Sequence, residues 1–178
     1  MQLTCHYASP LGDILIASDS EGVTGMRFEH DRSHAGSIEP GNRDGQSQIL
    51  SDARRWLDEY FAGKAPSWNP PLHVMGTEFE KKVCAILLKI PYGRTRTYGD
   101  IAMELEAALG RRMSAQAVGG AVGRNPVCII IPCHRVVGAD GNLTGYAGGL
   151  DRKVALLKLE KADMTLFHLP KNRKGKAV

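Results

Sequence analysis

Residues 64 to 73 contain Pro66, Pro70 and Pro71, and no regular element can run through them. Proline lacks an amide hydrogen and fixes φ, so it interrupts a helix interior and a central strand alike. The stretch therefore divides the chain. Residues 1–65 read as an N-terminal α/β domain and 66–76 as a linker. Residues 77–165 read as a second, mostly helical domain, and 166–178 as a basic tail. At 178 residues there is enough chain for a packed core without disulfide support.

The N-terminal part opens with short apolar runs at 2–7, 13–18 and 23–28. They are separated by Ser9-Pro10-Leu11-Gly12 and Asp19-Ser20-Glu21-Gly22. Such punctuation predicts a small antiparallel sheet. Residues 30–46 are polar and Gly-rich, and read as a loop. Ile49, Leu50, Ala53, Trp56, Leu57, Tyr60 and Phe61 then recur on one helical face, and Gly63 is placed to end that helix.

Beyond the prolines, Thr77 and Glu80 form a capping-box pattern before Phe79, Val83, Ile86, Leu87 and Ile90. Pro91-Tyr92-Gly93 ends this helix, and Cys84 inside it reads as core. Thr97 and Asp100 repeat the capping pattern for a helix reaching Gly110, and Ser114 caps another over residues 115–123. Two short helices joined by a tight turn predict a helix-turn-helix unit, by itself a weak pointer to nucleic acid. The second of them is almost bare. It carries Ala115, Ala117 and Ala121 with Gly119, Gly120 and Gly123, although glycine weakens a helix by roughly 1 kcal/mol relative to alanine. Two readings fit: tight packing against a neighbouring helix, or close approach to a duplex groove. The β-branched run 127–131 predicts a buried strand ending at Pro132-Cys133-His134-Arg135. A turn follows at Asp140-Gly141, then a glycine-rich return through Gly145, Gly148 and Gly149. A last helix over 150–160 places Leu150, Val154 and Leu157 inward.

Charge adds little: 23 Lys and Arg against 19 Asp and Glu leave +4, which permits an acidic partner without demanding one. Part of the excess sits in the tail from Lys171 to Lys176, a solvated end or a functional patch. No run approaches the roughly 20 apolar residues of a membrane span, and Met1 to His6 lack the pattern of a secretory signal. An intracellular protein with reduced thiols is expected. Cys5, Cys84, Cys128 and Cys133 show no metal-binding spacing, and scattered Cys5, His6, His30 and His73 make a poor zinc set. Cys133 beside His134 has two readings: a buried small hydrophobe, or a thiol activated by an imidazole that a carboxylate orients.

The motif Ile131-Pro132-Cys133-His134-Arg135-Val136 resembles the active-site motif of the O6-alkylguanine-DNA alkyltransferases. So do Ala117-Val118-Gly119, Gly123-Arg124-Asn125-Pro126 and Thr144-Gly145-Tyr146-Ala147-Gly148-Gly149. The resemblance is close over residues 77–161 and only in outline before residue 65. It implies a two-domain α/β architecture, a ribonuclease H-like sheet and helix followed by a winged-helix or helix-turn-helix domain. It implies irreversible transfer of an alkyl group from O6 of guanine in double-stranded DNA to Cys133, with base flipping from the minor groove, no cofactor and no turnover. It leaves O4 of thymine open as a second target. His134 would activate Cys133 through a water, with Glu160 orienting the imidazole. Asn125 would serve as a hinge, and Tyr98 would rotate the target phosphate and protonate the leaving base. Cys128, Val136, Tyr146 and Ala147 would line the base pocket. Thr97, Ala115, Gln116, Ala117, Gly119 and Arg124 would meet DNA. A cytoplasmic monomer, able to cluster along DNA, is implied. Two departures stand out: Gln116 where the family usually has an arginine that fills the gap left by the flipped base, and Ala147 where some relatives have serine. A lesion-binding protein without transfer activity is the alternative of another class, and a thiol hydrolase a third.

Overall fold

The structure, a computed structural model, describes residues 2–29, 38 and 43–170. His30 and the basic run from Lys171 to Lys176 lie outside the described residues. The N-terminal sheet contains β1 (Leu3–Ser9), β2 (Gly12–Ser18) and β3 (Val23–Phe28), joined by tight antiparallel turns. Its order is β3-β2-β1-β4, where β4 (Arg43–Asp44) runs parallel to β1. The sequence predicts only a loop there. Two charged residues carry no strand periodicity, so pairing to β1 rather than pattern creates β4.

Helix α1 (Gln48–Phe61) begins at Ser47, whose side chain accepts from the Leu50 amide. Its buried face, Leu50, Ala53, Trp56, Leu57 and Tyr60, lies over the sheet residues Ile14, Ile16 and Met26 in one continuous core. The proline stretch runs along the open edge of β3. There the Pro71 carbonyl accepts from Val23, and the His73 amide donates to the Val23 carbonyl.

Helices α2 (Glu78–Leu87) and α3 (Tyr98–Leu109) each start with the expected reciprocal capping box. The first ends at Leu87, earlier than the apolar periodicity suggested, and Ile90 is buried from a turn instead. Helix α4 (Ala115–Gly123) packs Val118, Ala121 and Val122 inward. A short parallel pair, β5 (Arg96–Thr97) and β6 (Val136–Val137), joins the start of α3 to the segment after His134. Helix α5 (Leu150–Leu159) buries Lys153, Leu156 and Leu157. Leu150 and Val154 are only partly covered, so the inward face is one a lysine shares.

The predicted strand at 127–131 is absent. The segment is a buried turn in which the Ile131 amide donates to the Val127 carbonyl at 3.0 Å and Ile129 adopts φ 71°. Backbone β-propensity yields here because the chain must reverse to present Cys133. The turn docks on β3, with the Met26 amide donating to the Pro126 carbonyl and the Cys128 amide to the Met26 carbonyl, both at 2.9 Å. The N-terminal sheet thus supports the loop beneath the candidate nucleophile. Residues 164–168 return to the Asp140-Gly141 turn, where His168 exchanges backbone bonds with Gly141 and Leu143.

Candidate active site

Cys133 opens a single 3-10 turn, Cys133–Arg135, directly after Pro132, and only 3 % of its surface is exposed. Asn125 is fully buried and fixes the preceding turn at both ends. Its Nδ2 donates to the Ile131 carbonyl at 2.8 Å, and its Oδ1 accepts from the Val127 amide at 3.1 Å. The Cys133 thiol is held below its ordinary pKa. A hydrogen bond from Cys128 does most, working against burial, and Asn125 and the Lys153 charge add to it. Cys128 is therefore set against the sulfur, itself buried.

His134 is completely buried. Its Nε2 lies 2.6 Å from Glu160 Oε1, while its Nδ1 has no hydrogen-bond partner. Since an ionised carboxylate only accepts, Nε2 carries the hydrogen and Nδ1 keeps its lone pair. Burial holds the imidazole below its ordinary pKa despite the carboxylate. Glu160 caps the end of α5. Burial disfavours its charge, but the hydrogen bonds and charges of His134 and Arg135 outweigh this and bring its pKa down to about 2. Arg135 grips both carboxylate oxygens, Nε to Oε2 at 2.9 Å and Nη2 to Oε1 at 3.0 Å. The Gly93 amide donates to Oε2 at 3.0 Å. A side chain at Gly93 (φ 73°) would put Cβ 2.6 Å from the Glu160 carbonyl oxygen, so this approach requires glycine.

Three further groups stand at the centre, and the sequence predicts a role for none of them. Tyr60, on the apolar face of α1, donates to Glu160 Oε1 at 2.7 Å. Arg135 stood inside the motif without a role. Lys153 is fully buried, donating from Nζ to the Val136 carbonyl at 2.6 Å and to Thr144 at 3.0 Å. Burial lowers its pKa to about 8 against the opposing pull of Cys133. A lysine on the face shared with Leu156 and Leu157 was the available signal.

The remaining candidates lie around this centre. Tyr98 begins α3 and donates to the carbonyls of Thr144 at 3.2 Å and Gly145 at 3.4 Å. Burial, with the Cys133 charge behind it, pushes its pKa up to about 12. Gly145 (φ 75°) leaves room for that hydroxyl, since a Cβ there would sit 2.9 Å from it. Val136 is buried in β6, and the Tyr146 ring meets His134 edge-on at 6.5 Å. Ala147 is partly covered. The Thr97 hydroxyl is engaged in its own capping box.

On α4, Ala115, Gln116 and Ala117 are exposed and Gly119 is partly exposed. A Cβ at Gly119, Gly120 or Gly123 would meet nothing closer than 3.8 Å, 3.4 Å and 4 Å respectively. The chain's own packing therefore does not demand these glycines, which disfavours the tight-packing reading of this helix. Arg124 is exposed and pairs with Glu80 of α2. An open surface groove lined by Arg112, Met113, Ser114 and Ala117 borders the start of α4. Among the described residues no group of His, Cys, Asp and Glu could hold a metal ion, and no helix is long and apolar enough to cross a membrane.

Residues 5–74 match the model of the 6-O-methylguanine DNA methyltransferase, ribonuclease-like domain, and residues 78–162 that of its DNA binding domain. The chain belongs to the 6-O-methylguanine DNA methyltransferase family. The methylated-DNA–protein-cysteine methyltransferase of Methanosarcina acetivorans is 46% identical over 155 residues, covering 86% of this chain and 95% of that one. Its counterpart from Mycobacterium bovis is 44% identical over 174 residues, covering 91% and 98%. The crystal structure of the Mycobacterium tuberculosis O6-methylguanine methyltransferase superposes with a TM-score of 0.75 at 40% identity, covering 93% of this chain and 99% of that one. A second structure of the M. tuberculosis protein, in complex with DNA, gives 0.74 at the same identity, covering 93% and 98%. The two-domain architecture of this methyltransferase family, a sheet domain followed by a helical domain, is the one described above.

Proposed function

We propose that this chain repairs DNA by moving a methyl or larger alkyl group from O6 of guanine onto Cys133. The observation that carries the reading is the split imidazole of His134. One nitrogen is committed to Glu160, the other is free, and the preceding residue is a thiol held below its ordinary pKa. Nδ1 takes the Cys133 proton through an intervening water. The sulfur forms a bond to the alkyl carbon, and the carbon–O6 bond breaks with its electrons staying on guanine. Tyr98, kept protonated at neutral pH by its buried setting, gives its proton to the base as negative charge develops there and regains one from water. A thioether resists hydrolysis, so each molecule acts once and no cofactor enters.

The target atom lies within the base stack, so the nucleotide must be turned out of the duplex. The bare exposed face of α4 suits a minor groove about 6 Å wide, with Ala115, Gln116, Ala117, Gly119 and Arg124 against DNA. Val136, Tyr146 and Ala147 form the wall of the base pocket. The protein acts as a monomer in the cytoplasm, at the nucleoid.

The test is stoichiometry on methylated duplex. Transfer should stop at one methyl per protein molecule and vanish in Cys133→Ser. Continued turnover would instead indicate a hydrolase, and tight binding without transfer a lesion-recognition protein.

A further inference from the structure

One hydroxyl at the centre of the site belongs to the other domain. Tyr60 lies on α1 and is fully enclosed. Its ring stacks on Trp56 at 5.2 Å and meets Phe61, Tyr92 and His134 edge-on at 5.4, 6.0 and 6.4 Å. Packing on every side fixes where the hydroxyl points. It donates to Glu160 Oε1 at 2.7 Å and stands 3.3 Å from His134 Nε2. We infer that Tyr60 is a positioning residue for alkyl transfer, its hydroxyl holding the Glu160–His134 pair in the arrangement that leaves imidazole Nδ1 free. The inference rests on the roles proposed above for Cys133, His134 and Glu160.

The geometry permits one assignment of protons. The Glu160 carboxylate cannot donate, so the Tyr60 hydrogen points at Oε1. Its oxygen lone pairs then face Nε2, which must carry a hydrogen of its own. The second tautomer, with Nε2 bare, would set a lone pair against both a carboxylate and a phenol oxygen. Tyr60 thus fixes the tautomer from the Nε2 side of the ring. It also competes for charge. Oε1 receives three donors, His134 Nε2, Tyr60 Oη and Arg135 Nη2, and each takes part of the negative charge that would otherwise favour imidazolium. The ionisable groups facing the pair are Tyr60 from α1, Tyr92 from the turn after α2, Arg135 and Cys133 from the 3-10 turn, Tyr146 from the loop before α5, and Lys153 from α5. Of these, Tyr60 donates to Glu160 without bringing a charge. Its deletion should therefore let the imidazole hold a proton to higher pH, where it cannot serve Cys133.

The experiment compares single-turnover transfer by the full chain and by Tyr60→Phe across pH, on duplex DNA containing O6-methylguanine. The plateau counts competent molecules, so misfolded protein lowers the plateau without altering the rate constant. We expect Tyr60→Phe to reach its plateau about tenfold more slowly near neutral pH, with the acidic limb moved up by about one pH unit. Its affinity for unmodified duplex should not change. An unchanged rate and limb would overturn the inference. So would a lower unfolding midpoint with the limb in place, the mark of packing alone. A second measurement needs no variant. Nitrogen-15 shifts of His134 in the native protein should show Nε2 protonated and Nδ1 bare near neutral pH, and the opposite tautomer would overturn the assignment. If the unaltered chain transfers nothing, or Cys133→Ser transfers equally well, the functional reading itself fails, a result distinct from a silent Tyr60→Phe.

Discussion

Asn125 holds Ile131 by a 2.8 Å hydrogen bond from its side-chain amide to the Ile131 carbonyl, across a buried turn. Its other side-chain atom holds Val127, so the loop before Cys133 is clamped shut by one residue. Between the clamped ends, Ile129 is forced to φ 71°, a conformation in which a β-branched side chain is strained. The loop keeps the strain because docking on β3 and the clamp together leave the backbone no alternative.

This predicts an inversion of the usual ranking of alanine and glycine. At Ile131, ordinary backbone makes the glycine variant the less stable of the two. At Ile129, Ile129→Gly should be more stable than Ile129→Ala by about 1 kcal/mol, because glycine enters the left-handed region freely. Both lose the same buried isoleucine. Urea unfolding of the four variants measures it, and the same order at both positions would contradict the described turn.

The carboxylate of Glu160 predicts how stability responds to acid. Its pKa is near 4.5 in an unfolded chain and about 2 in the fold. A depressed pKa contributes stability that is complete above pH 4.5 and lost as pH falls toward 2. The full contribution is about 3 kcal/mol. Glu160→Gln should therefore lie well below the native chain at neutral pH, with the gap closing through that acidic window. A gap independent of pH would show that Glu160 acts through shape alone.

Gln116 stands exposed at the start of α4 beside a groove that already holds Arg112. A glutamine there supplies neither the stacking surface nor the phosphate attraction of arginine. Gln116→Arg should speed transfer on duplex DNA and steepen the salt dependence of binding by about one counterion. Equal rates would mean that Arg111 or Arg112 already supplies what position 116 lacks.

Much of the scaffold was legible because its signals are local. Two capping boxes, the apolar face of α1 and the proline divide each depend on neighbours in sequence. Adjacency alone offers Cys133 and His134 as an activated thiol, but the resemblance chose that reading and added Glu160, which nothing in the spacing connects to them. What escaped was set by distant parts of the chain. Two charged residues became β4 by pairing with β1, and a β-branched run became a turn because a side chain at 125 clamps it. Tyr60 and Lys153 sit at apolar positions of amphipathic helices, so periodicity classes them as core. Only the folded contacts show that one holds a carboxylate and the other lends charge to a thiol.

Alkyl transfer as proposed leaves the alkyl carbon on one particular sulfur. Intact-mass analysis followed by peptide mapping, after mixing the full chain with duplex DNA containing O6-methylguanine, tests it most directly. Each protein molecule should gain one methylene unit, located on the peptide bearing Cys133 and missing in Cys133→Ser. An unchanged mass, or the added group on Cys84 or Cys128, would contradict it.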